Sequence, residues 1–301
     1  MADLNENLRG AMLMTASMAA FTINDTFVKS LAGELPLFQT VFLRGLAVTP
    51  LLVLLAWSRG ALRLRMSRRD AVLLAFRSLS EVLAALFFLT ALYNMPLANA
   101  TAILQAAPLM VTLAGALFFA EAIGIWRMSA ILVGFVGVLL IVQPGGEGFT
   151  GYSIWALAAV VAVVARDVLT RMMSGALPSL TVATVTGFSV GAAAGLAALF
   201  EPWVPVSGTS ALALAGSVVS ILFAYMFSVT AVRMGDMGFV APFRYTGLVW
   251  ALVLGFVAFG DFPGPLTLFG SAVVIAAGLF TYLRERRLAI RRREISQAPP
   301  R

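Results

Sequence analysis

Ten apolar stretches of membrane-crossing length alternate along the chain with short polar gaps. A helix needs about 20 mainly apolar residues to cross a hydrocarbon core roughly 30 Å thick. The stretches cover residues 8–31, 37–57, 71–93, 98–119 and 125–142, then 151–171, 178–200, 209–232, 238–259 and 266–283. In oil every backbone polar group must find its partner within the segment, so these runs are predicted to be helices. The gaps 32–36, 94–97, 143–150, 201–208 and 260–265 contain no Lys or Arg. The alternate gaps carry Arg59, Arg63, Arg65, Arg68 and Arg69, then Arg127, Arg171 and Arg233. Basic connections stay in the cytoplasm, which predicts both termini on that side.

The pattern also repeats itself at an offset near 140 residues. Asp25, Lys29, Gly33, Leu35 and Pro36 line up with Asp167, Arg171, Gly175, Leu177 and Pro178. Farther along, Ser80, Phe87, Thr90 and Ala91 meet Ser220, Phe227, Thr230 and Ala231, and Ala120-Glu121 meets Gly260-Asp261. Five helices per copy make the second copy enter the bilayer in the opposite sense. The predicted fold class is an all-α integral membrane protein of ten transmembrane helices, arranged as two inverted five-helix repeats. Such an arrangement places a binding region near the midplane, where the halves meet.

Composition narrows the solvent. With 60% apolar residues, 12% charged and a mean hydropathy of +0.95, too little polar surface exists to coat a water-soluble globule. The net charge of +7 belongs to flanks of apolar segments, including Arg284, Arg286, Arg287, Arg291, Arg292 and Arg293 after the last one. Such flanks set topology and meet lipid headgroups, so the partner is a bilayer and not a nucleic acid. The chain has no Cys and no His, which removes disulfides, thiol nucleophiles, zinc sites of usual composition and imidazole bases. No metal or cofactor site is expected, and no nucleophile–base pair points to an enzyme. The first apolar run is longer than a signal-peptide core and reads as a retained span. Residues 146–151 fit G-x-G-x-x-G but follow a membrane helix rather than a strand, so they read as a loop. Gly187, Gly191 and Gly195 share one helix face and predict a close helix–helix contact.

Ionised side chains inside a bilayer cost at least about 2.5 kcal/mol each, which makes each one a candidate for function. Glu81 lies ten residues into its stretch, roughly 15 Å deep and so near the midplane. Arg77 is one turn away on the same face, either neutralising Glu81 or sharing a site with it. Arg44 and Arg244 lie too deep to snorkel easily. Each could hold a carboxylate or phosphate through two parallel hydrogen bonds, and Arg44 alternatively pairs with Asp25 or Glu81. Asp25 with Lys29, and Asp167 with Arg171, form charged pairs near opposite faces and suit gates or structural ties. Gln105 lies at middle depth beside Pro108, which interrupts helical bonding, and Pro242 does the same in the ninth stretch. Tyr225, Tyr245 and Trp250 lie away from the interfaces. With Gln105 they make the apolar wall and polar points of a small-molecule pocket, or else plain core.

The stretch 91–109, ALYNMPLANATAILQAAPL, followed by Glu121 and by GFVGVLLIVQPG at 134–145, resembles the drug/metabolite transporter superfamily, EamA branch. The resemblance implies EamA-like five-helix repeats over 8–142 and 151–283, with 284–301 as a basic cytoplasmic tail. It also implies a multi-pass protein of a bacterial-type cell inner membrane that moves small metabolites by alternating access. Export of amino acids or related zwitterions is the leading expectation, with Arg77 or Arg244 toward a carboxylate and Glu81 toward an ammonium or acting in proton coupling. Uptake of a vitamin or cofactor such as riboflavin or S-adenosylmethionine is the alternative, and a membrane-embedded enzyme a distant one. Monomer and homodimer are both left open.

Overall fold

The computed structural model describes residues 4–63, 65–119, 124–145, 150–174, 176–234 and 237–297. Among them all regular structure is helical, as the apolar pattern requires. The first half contains α1 (Leu4–Ser30), α2 (Leu37–Ser58), α3 (Arg68–Asn94), α4 (Leu97–Leu104), α5 (Ala107–Phe119) and α6 (Ile125–Val142). The second contains α7 (Tyr152–Met172), α8 (Ser179–Ala197), α9 (Gly208–Met234), α10 (Met237–Val240), α11 (Thr246–Phe259) and α12 (Pro265–Gln297). Glu121 and residues 146–149, singled out in the sequence, lie outside the described residues.

Among the described residues eight helical segments are long and apolar enough to cross a membrane, where ten were expected. The two that fall short have different reasons. α1 has ample length at 27 residues but carries Thr15, Ser17, Thr22, Asn24, Asp25 and Thr26 along it. α6 presents a shorter apolar run, Met128–Val142. Two crossings are broken in the middle. Pro108 has no amide to give the Leu104 carbonyl, and α4 ends there before α5 resumes at Ala107. A 3₁₀ turn over Ala241–Tyr245 containing Pro242 likewise separates α10 from α11. Beyond residue 283 the chain remains helical, since α12 continues to Gln297. Its Arg, Glu, Leu and Ala residues are good helix formers.

Packing joins the two halves helix by helix. α1 lies along α9, α3 along α7, α2 along α8, and α6 along α12, while α4 meets α11. The glycines of α8 serve the α2 contact: a Cβ on Gly45 would come within 2.8 Å of the Gly191 Cα. Only two glycines allow the helices to approach so closely. The core, built around Leu92, Leu97, Ile103, Val160 and Val274, sits between the halves.

Candidate functional site

A cavity of about 480 Å³ lies between α2, α3, α7, α8 and α9. It runs from Arg44 and Gly45 in mid-bundle to Ser174, Leu177 and Ser179. Ser174 and Leu177 belong to the α7–α8 connection and Ser179 opens α8, on the face that also holds the arginine-rich α2–α3 connection. Its walls are mostly apolar: Val41, Val48, Leu52, Val182, Val190 and Ile221 line it.

The polar groups converge on one acidic residue. Glu81 accepts from Arg166 Nη1, with N–O distances of 3.3 and 3.4 Å to its two oxygens, and lies 3.8 Å from Arg77 Nη2. Arg77, one turn earlier on α3, donates from Nε to the Thr170 hydroxyl at 2.9 Å and from Nη1 to the Thr186 hydroxyl. Arg166 donates from Nε to Asp167 Oδ1 at 2.9 Å. Glu81 thus holds two guanidinium groups at distances longer than the roughly 2.7–2.9 Å of a tight charged hydrogen bond. A pair so loosely held, beside an open cavity, can exchange partners with an entering charged group.

Arg44 and Tyr225 line the same cavity. Arg44 Nη1 approaches Asn24 Oδ1 at 3.4 Å, and Asn24 in turn donates to Asp25 Oδ1 at 2.9 Å. Tyr225 rests edge-on against Phe21, with ring centroids 5.5 Å apart. Of the residues proposed from sequence for substrate contact or coupling, Arg77, Glu81 and Tyr225 therefore meet here, joined by Arg44.

The other candidates lie elsewhere. Arg244 and Tyr245 line a separate cavity of about 150 Å³ with Pro108, Thr112 and Thr281. Gln105 lines neither cavity; its amide reaches the Arg244 carbonyl at 3.5 Å. Trp250 flanks a shallow apolar groove between α1 and α11. The aromatic pocket expected from Gln105, Tyr225, Tyr245 and Trp250 does not form: Tyr225 on α9, Tyr245 in the 3₁₀ turn and Trp250 on α11 line three different spaces.

The two expected charge pairs are also rearranged. Lys29 does not pair with Asp25; its Nζ donates to the carbonyls of Leu92 at 3.2 Å and Met95 at 2.7 Å. These are free or terminal acceptors at the end of α3, where the helix dipole favours a cation. The same ammonium lies 5.4 Å from the centre of the Phe259 ring. In the second half Asp167 is bound by Arg166, while the Arg171 guanidinium lies 4.4 Å from the centre of the Phe119 ring. Arg166 was not picked from the sequence. It stands beside Asp167, deep in an apolar run, and the cost of an intramembrane charge was the signal available for it.

Positions that share the sequence offset of about 140 residues recur within the cavity. Val41 and Ala183, Arg44 and Thr186, and Gly45 and Gly187 all line it. So do Val48 and Val190, Glu81 and Ile221, and Ala85 and Tyr225.

The resemblance read from the sequence stands. Residues 8–143 match the EamA-like transporter family. The chain is 26% identical to the S-adenosylmethionine uptake transporter of Rickettsia felis, over 97% of this chain and 98% of that one. It is 28% identical to the pseudopaline exporter CntI of Pseudomonas aeruginosa, covering 89% and 94% of the two chains. With the riboflavin transporter of Vibrio cholerae the identity is 26%, over 96% and 98%. A crystal structure at 20% identity matches 93% of this chain and 98% of its own with a TM-score of 0.64, which indicates a shared fold.

Proposed function

From a chain whose residues 8–143 belong to the EamA-like transporter family, a secondary transporter of small metabolites, we propose a carrier for a zwitterionic, cofactor-sized molecule of the S-adenosylmethionine kind. The observation that carries this reading is Glu81 held loosely between Arg77 and Arg166 at the wall of a cavity of about 480 Å³. A substrate carboxylate takes Arg77, a substrate cation takes Glu81, both of which line the cavity, and each displaces the other's resident partner. Charge is then conserved in the low-dielectric interior, and no unpaired ion is left behind. The cavity falls in the usual size range for sites of drug-sized ligands, roughly 300–1,000 Å³, and Tyr225 offers a ring face to an adenosyl group. A free amino acid satisfies the charges and leaves most of that volume unfilled. The names of the relatives, two of them cofactor or vitamin transporters, support the same choice over amino-acid export.

The two halves, 8–142 and 151–283, act in this reading as inverted repeats, with ten crossings and both termini on the arginine-rich cytoplasmic side. Its support is the packing. Exchanging each helix for its counterpart in the other half turns the α1–α9 contact into α7–α3 and returns α2–α8 and α6–α12 to themselves. The repeat-related residue pairs at the cavity centre fit a pseudo-twofold axis passing through the site.

Counterflow in liposomes tests the cargo. Purified protein, preloaded in turn with S-adenosylmethionine, riboflavin and single amino acids, is expected to exchange labelled S-adenosylmethionine saturably and the others weakly. Exchange confined to riboflavin or to free amino acids overturns the zwitterionic-cofactor reading. An imposed proton gradient in the same vesicles decides whether Glu81 also couples protons: gradient-driven flux that survives Glu81→Gln removes that role.

A further inference from the structure

We infer that Thr170 and Thr186 are positioning residues: they hold the Arg77 guanidinium off Glu81 and so leave it charged, oriented and open to a substrate carboxylate. This rests on the zwitterion reading and adds how the anionic end is recognised.

Arg77 and Glu81 stand at i, i+4 spacing on α3, and both line the cavity. Neighbours at that spacing on one helix face favour a direct ion pair, and a charged hydrogen bond closes to roughly 2.7–2.9 Å when it forms. Here Arg77 Nη2 stops 3.8 Å from Glu81 Oε2, beyond hydrogen-bond reach. The groups that hold it back come from two other helices. Nε donates to the Thr170 hydroxyl of α7 at 2.9 Å, and Nη1 donates to the Thr186 hydroxyl of α8.

Both hydroxyls are suited to this because their own protons are committed elsewhere. Thr170 Oγ1 donates to the Arg166 carbonyl and Thr186 Oγ1 to the Val182 carbonyl, each at 2.7 Å. Each oxygen therefore meets Arg77 with lone pairs only. A neutral acceptor fixes a guanidinium without cancelling its charge, whereas a carboxylate in the same place would do both. Among the described residues Nη2 makes no hydrogen bond, so its N–H groups are left for an entering anion. Arg166 is not placed for this role. Its Nε is tied to Asp167 at 2.9 Å, its Nη1 already meets Glu81, and it does not line the cavity.

Thr170→Val and Thr186→Val keep the shape of each side chain and delete the hydroxyl, while Thr170→Ser and Thr186→Ser retain it. Counterflow in liposomes is measured with S-adenosylmethionine and with its decarboxylated form, which keeps the sulfonium and the amine. In the double valine variant KM for S-adenosylmethionine should rise about tenfold, with Vmax within about twofold, as loss of a charge-assisted contact predicts. The decarboxylated form should keep its wild-type-protein KM in that variant, and the serine variants should match the parent chain for both molecules. An equal rise for both molecules, or one that serine does not prevent, overturns the positioning role by showing that valine simply disturbs packing. An unchanged KM in the double valine variant overturns it as well. A structure of that variant gives a readout that needs no cargo. The Arg77–Glu81 separation should close from 3.8 Å to about 2.8 Å, and an unchanged separation overturns the inference. Closure in a protein whose parent chain exchanges no S-adenosylmethionine overturns the cargo and keeps the threonines' hold on Arg77.

Discussion

The α3–α7 seam and the α1–α9 seam each join a helix of the first half to one of the second, and their chemistry could hardly differ more. Across the first, Arg77 meets Thr170 and Glu81 meets Arg166. Across the second, the positions matched to Arg77, Glu81 and Arg166 are Ser217, Ile221 and Asn24. Ser17 bonds the Ala224 carbonyl at 2.8 Å across that seam, and Thr22 and Thr26 return their hydroxyls to carbonyls of α1 itself. Such back-bonded hydroxyls carry no charge to be solvated and can be buried dry. Guanidinium and carboxylate groups cannot, unless every one is paired. The charged seam lies beside the cavity, which Arg77, Glu81 and Thr170 line, whereas no residue of α1 lines it.

The comparison breaks most directly if the charges of the α3–α7 seam prove dispensable. Arg166→Gln removes the nearer cation from Glu81, and Glu81→Gln removes the shared anion. Truncating one partner of a desolvated charge pair costs about 2 kcal/mol or more in binding, a factor of roughly 30. Each variant is expected to lose substrate exchange by about that factor, with KM rising, while folded protein is still recovered from detergent. The double variant should be no worse than either single one, because the two groups act as a pair. Wild-type KM in Arg166→Gln would remove the ion pair from the site.

Glu81 and Arg77 were legible in the sequence because a charge in an apolar run has few structural excuses. Helix positions were equally legible: residues 125–142 match α6 at both ends, since apolar length is imposed by the bilayer itself. What the pattern could not supply was which helices converge. Tyr225, Tyr245 and Trp250 are alike by composition and depth, yet they belong to α9, the 3₁₀ turn and α11, which place them in three different surroundings. The Asp25–Lys29 and Asp167–Arg171 pairs failed for a related reason. Spacing of i, i+4 permits an ion pair, but Lys29 finds carbonyls at the end of α3 and Asp167 finds Arg166 next to it.

A smaller effect should follow from loosening the dry seam. Gly216→Ala forces the Phe27 ring away from α9, an overpacking that costs about 1–3 kcal/mol where the neighbours are backbone-anchored. The cost should appear as a fall in thermal stability of about that size. Substrate exchange should be nearly unchanged, because neither Phe27 nor Gly216 lines the cavity. A loss of exchange as large as that of Glu81→Gln, with stability unchanged, would show that this seam carries the chemistry too.

The smallest expected effects lie outside both seams, and they discriminate between pocket assignments. Trp250 and Tyr245 share the depth and aromatic character of Tyr225, so a site recognised by composition alone would contain all three. In the fold Trp250 flanks the α1–α11 groove, and the Tyr245 hydroxyl sits against Gly278 beside the smaller cavity. Of the three, Tyr225 alone lines the open cavity together with Glu81. Trp250→Phe and Tyr245→Phe retain most of each ring's packing, and both should leave KM for the transported molecule within about twofold. Tyr225→Ala removes a ring worth about 1–3 kcal/mol per stacked base by alanine substitution, so its KM should rise about fivefold or more. A ranking with Trp250 or Tyr245 above Tyr225 would shift the site toward α11, and with it the claim that the α3–α7 seam carries the chemistry.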